Sequence, residues 1–437
     1  MREKKLTLVR KSIALMLIGG ALVLGAPQVG ASALEISLDD SVALTLRNNE
    51  SVKIAASQKL TAAELITEAQ TGYQPNLDYT FSGSRAGAKS SKTNTYNTYS
   101  VGNQFGNQVS LSWPIYTGGS VEGKINQAKL GLTSADLAIA LAKQQLKLQA
   151  TTGYFAIMQA QNLVKVNQDT VNDLQAHLTN VQAQFAVGTV AKSDVLRSQV
   201  AVANAQQTLI QEQNTYDLAV SSLNNVMGLP MDTQLHLKDQ LQYTKYNTPL
   251  ADCVSYALQH RPDGQQADIS IASAKEGITV AESGNKPQVN LSADEGWSDT
   301  HPLGTKNNSW SVGASASWNL FDAGLTKSKI RSANVAVDQA SQQAQQTKDT
   351  IQLDVRQAYL SLKNAEKRIS TTQVAVDQAQ EDYKIAQVRY SSGVGTNLDV
   401  MDAESALLTA KTNSIQALYD YNTSKAQLDK AMGIAVN

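Results

Sequence analysis

Residues 113–119 read Trp-Pro-Ile-Tyr-Thr-Gly-Gly, and residues 318–324 read Trp-Asn-Leu-Phe-Asp-Ala-Gly. The same offset of 205 positions pairs Tyr154 with Tyr359 and Gly188 with Gly393. A constant offset held over more than a hundred residues is typical of an internal repeat, whereas chance similarity between helical sequences would slip. We therefore predict a signal peptide at 1–33, a first repeat at 34–229, a linking segment at 230–250 and a second repeat at 251–437.

The first 33 residues have the plan of a secretory signal. A basic segment begins at Arg2, the run from Ile13 to Leu24 is apolar, and Ala31-Ser32-Ala33 offers a small-residue cleavage site. The apolar run is short for a membrane-spanning helix, so an uncleaved anchor is the less favoured alternative. No cysteine follows the cleavage site, which argues against a lipid-anchored N-terminus. We expect an exported chain.

The composition and the residue spacing argue against several classes of function. The chain has 37 basic and 38 acidic residues, a net charge of −1, so it lacks the basic excess of a nucleic-acid binder. Its single cysteine, Cys253, cannot build a disulfide framework. The histidines (His177, His236, His260 and His301) and Cys253 show no metal-ligand spacing, and no nucleophile elbow or phosphate-binding loop is present in the sequence. We expect neither an enzyme nor a bound cofactor or metal.

Two pairs of segments alternate apolar and polar residues. Leu77, Tyr79 and Phe81 alternate with polar neighbours, and the alternation continues over 109–115, 289–293 and 310–320. Period-two alternation is the pattern of outer-membrane strands around an aqueous lumen, although a half-buried soluble sheet shows it too. The stretch from Gly83 to Gly106, rich in glycine, serine, asparagine and threonine, is predicted to be a hairpin loop.

Long helices follow each pair of strands. Apolar residues recur in steps of three and four from about Gly123 to Val187 and from Ile330 to Tyr390, with no proline in either run. This is coiled-coil spacing, and about 65 residues form a rod of roughly 100 Å. Four strands cannot close a barrel and two copies would leave no open interior, so a conduit needs at least three copies.

These features together resemble the TolC family of outer-membrane efflux and secretion channels. The resemblance rests on the duplicated plan, the paired tryptophan strand exits, and the helix ends at 185–195 (Phe-Ala-Val-Gly-Thr-Val-Ala-Lys-Ser-Asp-Val) and 390–403 (Tyr-Ser-Ser-Gly-Val-Gly-Thr-Asn-Leu-Asp-Val-Met-Asp-Ala). It covers the whole mature chain.

The resemblance implies an α+β membrane protein that forms a homotrimer. Its 12-stranded antiparallel β-barrel, four strands per subunit, would lie in outer-membrane lipid and continue into a periplasmic barrel of coiled-coil helices. It would be a passive exit duct working with a periplasmic membrane-fusion adaptor and an inner-membrane pump or ABC exporter of type I secretion. A periplasmic coiled-coil adaptor or a structural envelope protein is the alternative.

The resemblance also implies roles for particular residues. It assigns adaptor docking to Val187, Gly188, Thr189 and Gly393. The segment Ser392-Gly393-Val394 departs from the family pattern, and glycine commonly ends helices whether or not a partner docks there. The resemblance assigns the lining of the aperture to Asp399 and Asp402, and the gate of the aperture to Asp194, Ser193 and Tyr390. It assigns an aromatic girdle to Trp113, Trp297, Trp310 and Trp318.

Two further expectations concern the aperture. Six carboxylates in a trimer would repel one another, which should raise some of their pKa values. Gly395 stands where closed members of the family carry an arginine, so one of the interactions that hold the aperture closed would be missing. The simpler interpretation is that Asp194 and Asp399 stabilise helix starts and that Asp402 faces solvent.

Overall fold

The computed structural model describes residues 34–92 and 96–436. The predicted signal peptide at 1–33 lies outside these residues. None of the helices in the described ranges combines the length and hydrophobicity needed to cross a membrane.

The first part of the described chain combines short elements with two long helices. In order these are β1 (Leu34–Ile36), α1 (Leu38–Asn48), α2 (Glu50–Thr71), β2 (Asn76–Lys92), β3 (Tyr96–Tyr116), α3 (Ser120–Ala186) and α4 (Lys192–Met227). Ser37 and Asp40 form a capping box at the start of α1, and Asn49 caps α2. These side chains accept from N–H groups that have no partner within the helix, and so fix where each helix begins.

The second part repeats this order of elements. It runs β4 (Leu235–Leu237), α5 (Leu250–His260), α6 (Pro262–Glu282), β5 (Gln288–Asp299), β6 (Asn308–Ser317), α7 (Leu325–Ser391) and α8 (Asn397–Ala431). The long helices α3 and α7 both have 67 residues. The helices that follow them, α4 and α8, have 36 and 35 residues.

The helices pack side by side in two levels that share α3 and α7. Near the sheet the neighbours run α2, α3, α6, α7, and at the far end they run α4, α3, α8, α7. Each long helix buries a stripe of residues three or four apart, for example Ile351, Val355, Ala358 and Leu362 in α7. This spacing places the stripe on one face, and each fully buried aliphatic side chain stabilises the packing by about 1.5–3 kcal/mol.

The segment predicted as a linker, 230–250, contains the short strand β4. It pairs in parallel with β1, with Leu34 opposite Leu235. The hydroxyl of buried Tyr154 lies 2.9 Å from Oδ2 of Asp239 and 3.1 Å from the Ile36 carbonyl oxygen, so its one hydrogen is shared between these two acceptors. The packing therefore ties the linking segment to the middle of α3.

The other four strands form one antiparallel sheet in the order β2-β3-β5-β6. Leu111 lies opposite Ala293, which lies opposite Val312, so these three side chains form a row on one face. Ser110, Asp294 and Ser311 form a row on the other face. Glu295 also lies on the mainly apolar face, between Val109 and Trp310.

The predicted hairpin loop from Gly83 to Gly106 is wrong. Pairing continues from Gly83 opposite Phe105 to Lys92 opposite Tyr96, so most of this stretch is strand. A β-ladder is built from backbone hydrogen bonds. Glycine, serine and asparagine have both the N–H and the C=O that these bonds need, and only proline lacks the N–H, so a composition rich in these residues does not exclude a strand.

The predicted alternation also fails at two strand ends. The register shifts between Pro114 and Tyr116, so Tyr116 rather than Ile115 lies opposite Val289. Proline has no N–H to donate to the ladder and commonly accompanies a bulge. In the second half, β6 ends at Ser317, so Trp318 and Leu320 lie beyond the strand.

Candidate functional site

The turn between α3 and α4 is one of two helical tips farthest from the sheet. Gly188 has a φ of +77°, and the Thr189 N–H donates to the Gln184 carbonyl at 3.0 Å, which ends α3 in a Schellman motif. Val187, at 75 % exposure, projects from the turn. The next helix begins after Ala191, which provides no side-chain cap.

The second tip, between α7 and α8, has a similar turn and a different helix start. Gly393 has a φ of +73°, and the Val394 N–H donates to the Arg389 carbonyl at 3.0 Å. Thr396 and Asp399 then form a capping box at the start of α8. Val394 is 69 % exposed, so each tip presents an unburied valine.

Asp399 and Asp402 lie exposed along one side of α8. With Asp382, Arg389 and Ala403 they line a shallow cavity of about 310 Å³ between α7 and α8. Hydrogen bonds from the Thr396 backbone and hydroxyl, with a smaller electrostatic contribution from Arg389, lower the pKa of Asp399. Within one chain the pKa of Asp399 is therefore lowered, whereas a ring of carboxylates is expected to raise it. The sequence interpretation missed Arg389 as a counter-charge.

The gate residues differ in their surroundings. Ser193 is exposed and Asp194 half-buried in the first turn of α4. Tyr390 is buried at 7 % exposure, and burial raises its pKa. Its ring lies 4.9 Å from that of His177, centroid to centroid. Tyr390 therefore packs between helices within one chain, and its part in the gate stays a prediction.

Gly395 has a structural reason to be glycine. A Cβ there would lie 3.0 Å from the Tyr390 nitrogen and 3.1 Å from the Arg389 carbonyl carbon, both backbone atoms of α7. The chain passes too close to the end of α7 for a side chain without a shift of the backbone.

A buried polar cluster joins three helices just behind the tips. His177 of α3, at 6 % exposure, places Nε2 2.6 Å from Oδ1 of Asn397 of α8. Ser198 of α4 donates to the same oxygen at 3.2 Å, and Nδ2 of Asn397 donates to the Asp194 carbonyl at 3.2 Å. Sequence reasoning overlooked this cluster because a lone histidine in a heptad pattern carries no spacing signal.

A second polar group lies deeper in the same packing. Glu404 of α8 is 3 % exposed, and its Oε2 has no hydrogen-bond partner among the described residues. The hydroxyl of buried Tyr383 of α7 likewise has none in that part of the chain. Burial, followed by the charge of Asp173, raises the pKa of Glu404.

The tryptophans mark two levels of the sheet. Trp113 donates from Nε1 to the Tyr73 carbonyl at 2.9 Å, and Trp318 to the Asn285 carbonyl at 2.9 Å. Both lie where strands meet helices. Trp113 is opposite Leu291, and Trp297 lies six residues farther along β5, about 20 Å away at strand rise. Trp310, opposite Glu295, lies between these levels but nearer Trp297.

Across 34–92 and 96–436, no group of three or more histidine, cysteine or acidic side chains is placed to hold a metal ion. The notable features are the paired tips, the acidic groove beside them and the sheet at the opposite end.

Comparison with known proteins identifies relatives over nearly the whole chain. The model of the family described as "Outer membrane efflux protein" matches residues 42–229 and 253–434. Outer membrane protein TolC of Escherichia coli (strain K12) is 24 % identical over 403 residues, covering 88 % of this chain and 80 % of that protein. The solvent efflux pump outer membrane protein SrpC of Pseudomonas putida is 24 % identical over 393 residues, covering 89 % and 83 %.

Solved structures agree on the fold. The Campylobacter jejuni CmeC outer membrane channel superposes with a TM-score of 0.78 at 19 % identity. The match covers 91 % of this chain and 85 % of that channel.

Proposed function

Because the chain belongs to the outer membrane efflux protein family, we propose that it is the exit duct of a tripartite efflux pump or type I secretion system. It is an outer-membrane protein. In this role it catalyses nothing and carries small molecules or proteins passively from a periplasmic adaptor and inner-membrane pump to the exterior. The relative SrpC is named as the outer membrane protein of a solvent efflux pump.

The observation that carries the proposal is the pair of free edges in the sheet. In the described chain β2 pairs with β3 and β6 pairs with β5, so each of these outer strands has one open side. Open edges are not tolerated in lipid, because unpaired N–H and C=O groups have no water to bond. Pairing β6 of one copy with β2 of the next closes a barrel, and three copies give 12 strands.

The helices support the same assembly. The edge helices α2 and α4 on one side, and α7 on the other, carry large apolar side chains with about half or more of their surface exposed. Examples are Ile54, Leu60, Ile210, Leu218, Val335 and Val374. Joining α7 of one copy to α2 and α4 of the next would bury both sets and close a helical tunnel below the barrel.

The internal duplication is part of the proposal. It is supported by the two separate matches of one family model and by the equal lengths of α3 and α7. A duplicated subunit would let a trimer surround its tunnel with six similar helix–hairpin units. Residues 230–250 would then link the two repeats.

We assign the tips to the periplasmic end. The exposed Val187 and the turns at Gly188-Thr189 and Gly393 would meet the adaptor, and Asp399 and Asp402 would line the aperture. Ser193, Asp194 and Tyr390 would set how far neighbouring tips separate. The four tryptophans would lie near the membrane–water interfaces, where indole rings are favoured.

Cell fractionation followed by electrical recording tests the proposal. We expect a heat-resistant trimer band in the outer-membrane fraction, and stepwise conductance when the purified trimer is added to a planar bilayer. A control with Arg placed at both Leu111 and Val312, on the apolar face of the sheet, should give neither band nor conductance. A soluble periplasmic monomer that forms no pores would contradict the proposal and favour an adaptor or structural role.

A further inference from the structure

The polar cluster of His177 and Asn397 has one consistent pattern of hydrogen bonds. Asn397 Nδ2 faces the Asp194 carbonyl, so its Oδ1 must face His177 and Ser198. An oxygen accepts only, so Nε2 of His177 carries the proton and donates to it. The neutral ring then has Nδ1 unprotonated. Asn397, two residues before Asp399, is thereby bound to α3, to α4 and to the first tip.

The second polar level lies one heptad away on every helix. Thr170 and His177 of α3, Tyr383 and Tyr390 of α7, and Asn397 and Glu404 of α8 are each seven residues apart. All six are buried. Seven residues return to the same face of a helix, so the six side chains form two stacked layers between α3, α7 and α8. We call these the tip layer (His177, Tyr390, Asn397) and the inner layer (Thr170, Tyr383, Glu404).

Besides a tyrosine, each layer contains one titratable group, the imidazole of His177 in the tip layer and the carboxyl of Glu404 in the inner layer. The titratable groups on the elements packed around them are Tyr390 and Tyr383 on α7, Asp194 on α4, Asp173 on α3 and Lys411 on α8. Burial opposes a charge on His177 and lowers its pKa, and its hydrogen bond to Asn397 offsets this only in part. Burial and Asp173 oppose a charge on Glu404, and Thr170, Tyr383 and Lys411 offset this only in part. An uncompensated charge in either layer is costly.

We propose that His177, Asn397 and Glu404 are positioning residues for the aperture. While both layers are uncharged they hold the start of α8, and with it Asp399 and Asp402, against α3 and α4. A charge in either layer loosens this packing and frees the α7–α8 tip to move away from the α3–α4 tip. The proposal rests on the proposed function as an exit duct and adds a pH-dependent regulation of its aperture.

The direction of the pH effect differs between the layers. The pKa of His177 is lowered from 6.5, so its layer is fully stable above pH 6.5 and loses stability as the pH falls through the lowered value. The pKa of Glu404 is raised from 4.5, so its layer loses stability as the pH rises above 4.5 through the raised value. The two effects are opposite in sign, because His177 favours opening as the pH falls below 6.5 and Glu404 favours opening as the pH rises above 4.5. Removing one of these groups therefore leaves the pH dependence of the other.

The test is the conductance of the purified trimer in planar bilayers from pH 4 to pH 9. Each titrating group can change the ratio of open to closed states by up to about tenfold for each pH unit. His177→Gln keeps a donor for Asn397 without a titratable ring, so its conductance should rise only with increasing pH. Glu404→Gln should leave a conductance that rises only as the pH falls.

Controls separate this regulation from other causes. His236→Gln changes an exposed histidine on β4 and should leave the profile as in the wild type. Asn397→Leu should raise the conductance at every pH, because it removes the joint between the helices without introducing a charge. The trimer band reports whether each variant assembles.

Glutamine variants whose pH profiles both match that of the wild type would overturn the proposal, while pore formation would leave the proposed function standing. If the assembled wild-type trimer forms no pores at any pH, the proposed function fails and this regulation fails with it.

Discussion

Thr396 and Asp399 hydrogen-bond reciprocally at the start of α8. The Thr396 hydroxyl accepts from the Asp399 N–H at 3.1 Å, and Oδ2 of Asp399 accepts from the Thr396 N–H at 2.9 Å. The capping interpretation of Asp399 is therefore correct in geometry, and an aperture role would be carried by a side chain that is already held in place. Asp402 has no such bond among the described residues and is free to turn.

Thr396→Ala should loosen the first turn of α8. Loss of a threonine cap costs about 1 kcal/mol, so we expect faster amide exchange at 397–402, measured by hydrogen–deuterium exchange and mass spectrometry. Thr396→Ser keeps the hydroxyl and is the matched control. Equal exchange in the alanine and serine variants would show that the cap does not hold this turn.

Asp399→Asn combined with Asp402→Asn should abolish cation preference. Asparagine at 399 can still accept from the Thr396 N–H, so the double variant removes charge and retains the cap. In planar bilayers we expect the permeability ratio of potassium to chloride to fall toward one and block by trivalent cations to weaken.

The control for this pair removes a carboxylate elsewhere. Asp377 is exposed on α7, several turns from the tip, and Asp377→Ala should leave both selectivity and block unchanged. If the double variant behaves like the wild type, the aspartates do not ring the aperture.

Arginine should be tolerated on one face of the sheet only. Leu111→Arg or Ala314→Arg would place a charge on the apolar face, at a cost of about 2–4 kcal/mol near the middle of the bilayer. Ser110→Arg and Ser315→Arg, one residue away on the polar face, are the matched controls. The amount of heat-resistant trimer in the outer membrane measures the difference, and equal amounts in all four would refute the assignment of faces.

Gly188→Val should impair docking without preventing assembly. No atom lies within 4 Å of the added Cβ, so the strain comes only from the φ of +77°, which costs a β-branched residue about 1–2 kcal/mol. We expect normal trimer but weaker photo-cross-linking from position 187 to the adaptor, and reduced export.

Gly131→Ala is the control for that substitution. It adds a methyl group inside α3 where nothing lies within 4 Å, and should change neither cross-linking nor export. Full cross-linking in the Gly188→Val variant would remove the docking role from this turn.

The helical part of the fold was largely readable from sequence, for a physical reason. An apolar stripe such as that of Ile351, Val355 and Leu362 repeats over many turns, so the helical period stays recognisable even where single positions deviate from it. The turns at Gly188 and Gly393 were also predictable, because a left-handed residue at a helix end favours glycine. The strands near Gly83 and Pro114 were misjudged because ladder pairing depends on a distant partner strand.

The candidate site was predictable only in part. Asp399 and Asp402 were assigned from the family resemblance, and their aperture role stays a prediction. The counter-charge of Arg389 depends on how the two helices fold back beside each other, and the bond between His177 and Asn397 depends on helices that are remote in sequence. His177 and Asn397 are 220 residues apart. Only the packing of α3 against α8 brings them together.

The equal length of α3 and α7 has a consequence for how such a chain can evolve. Both helices lead from the sheet to the tips, and each residue adds about 1.5 Å. Inserting one heptad in α3 alone would extend the first tip about 10 Å beyond the second. A partner protein would then meet two tips at different distances from the sheet. Selection should therefore accept length changes in this protein only when both rods, and the returning helices α4 and α8, change together.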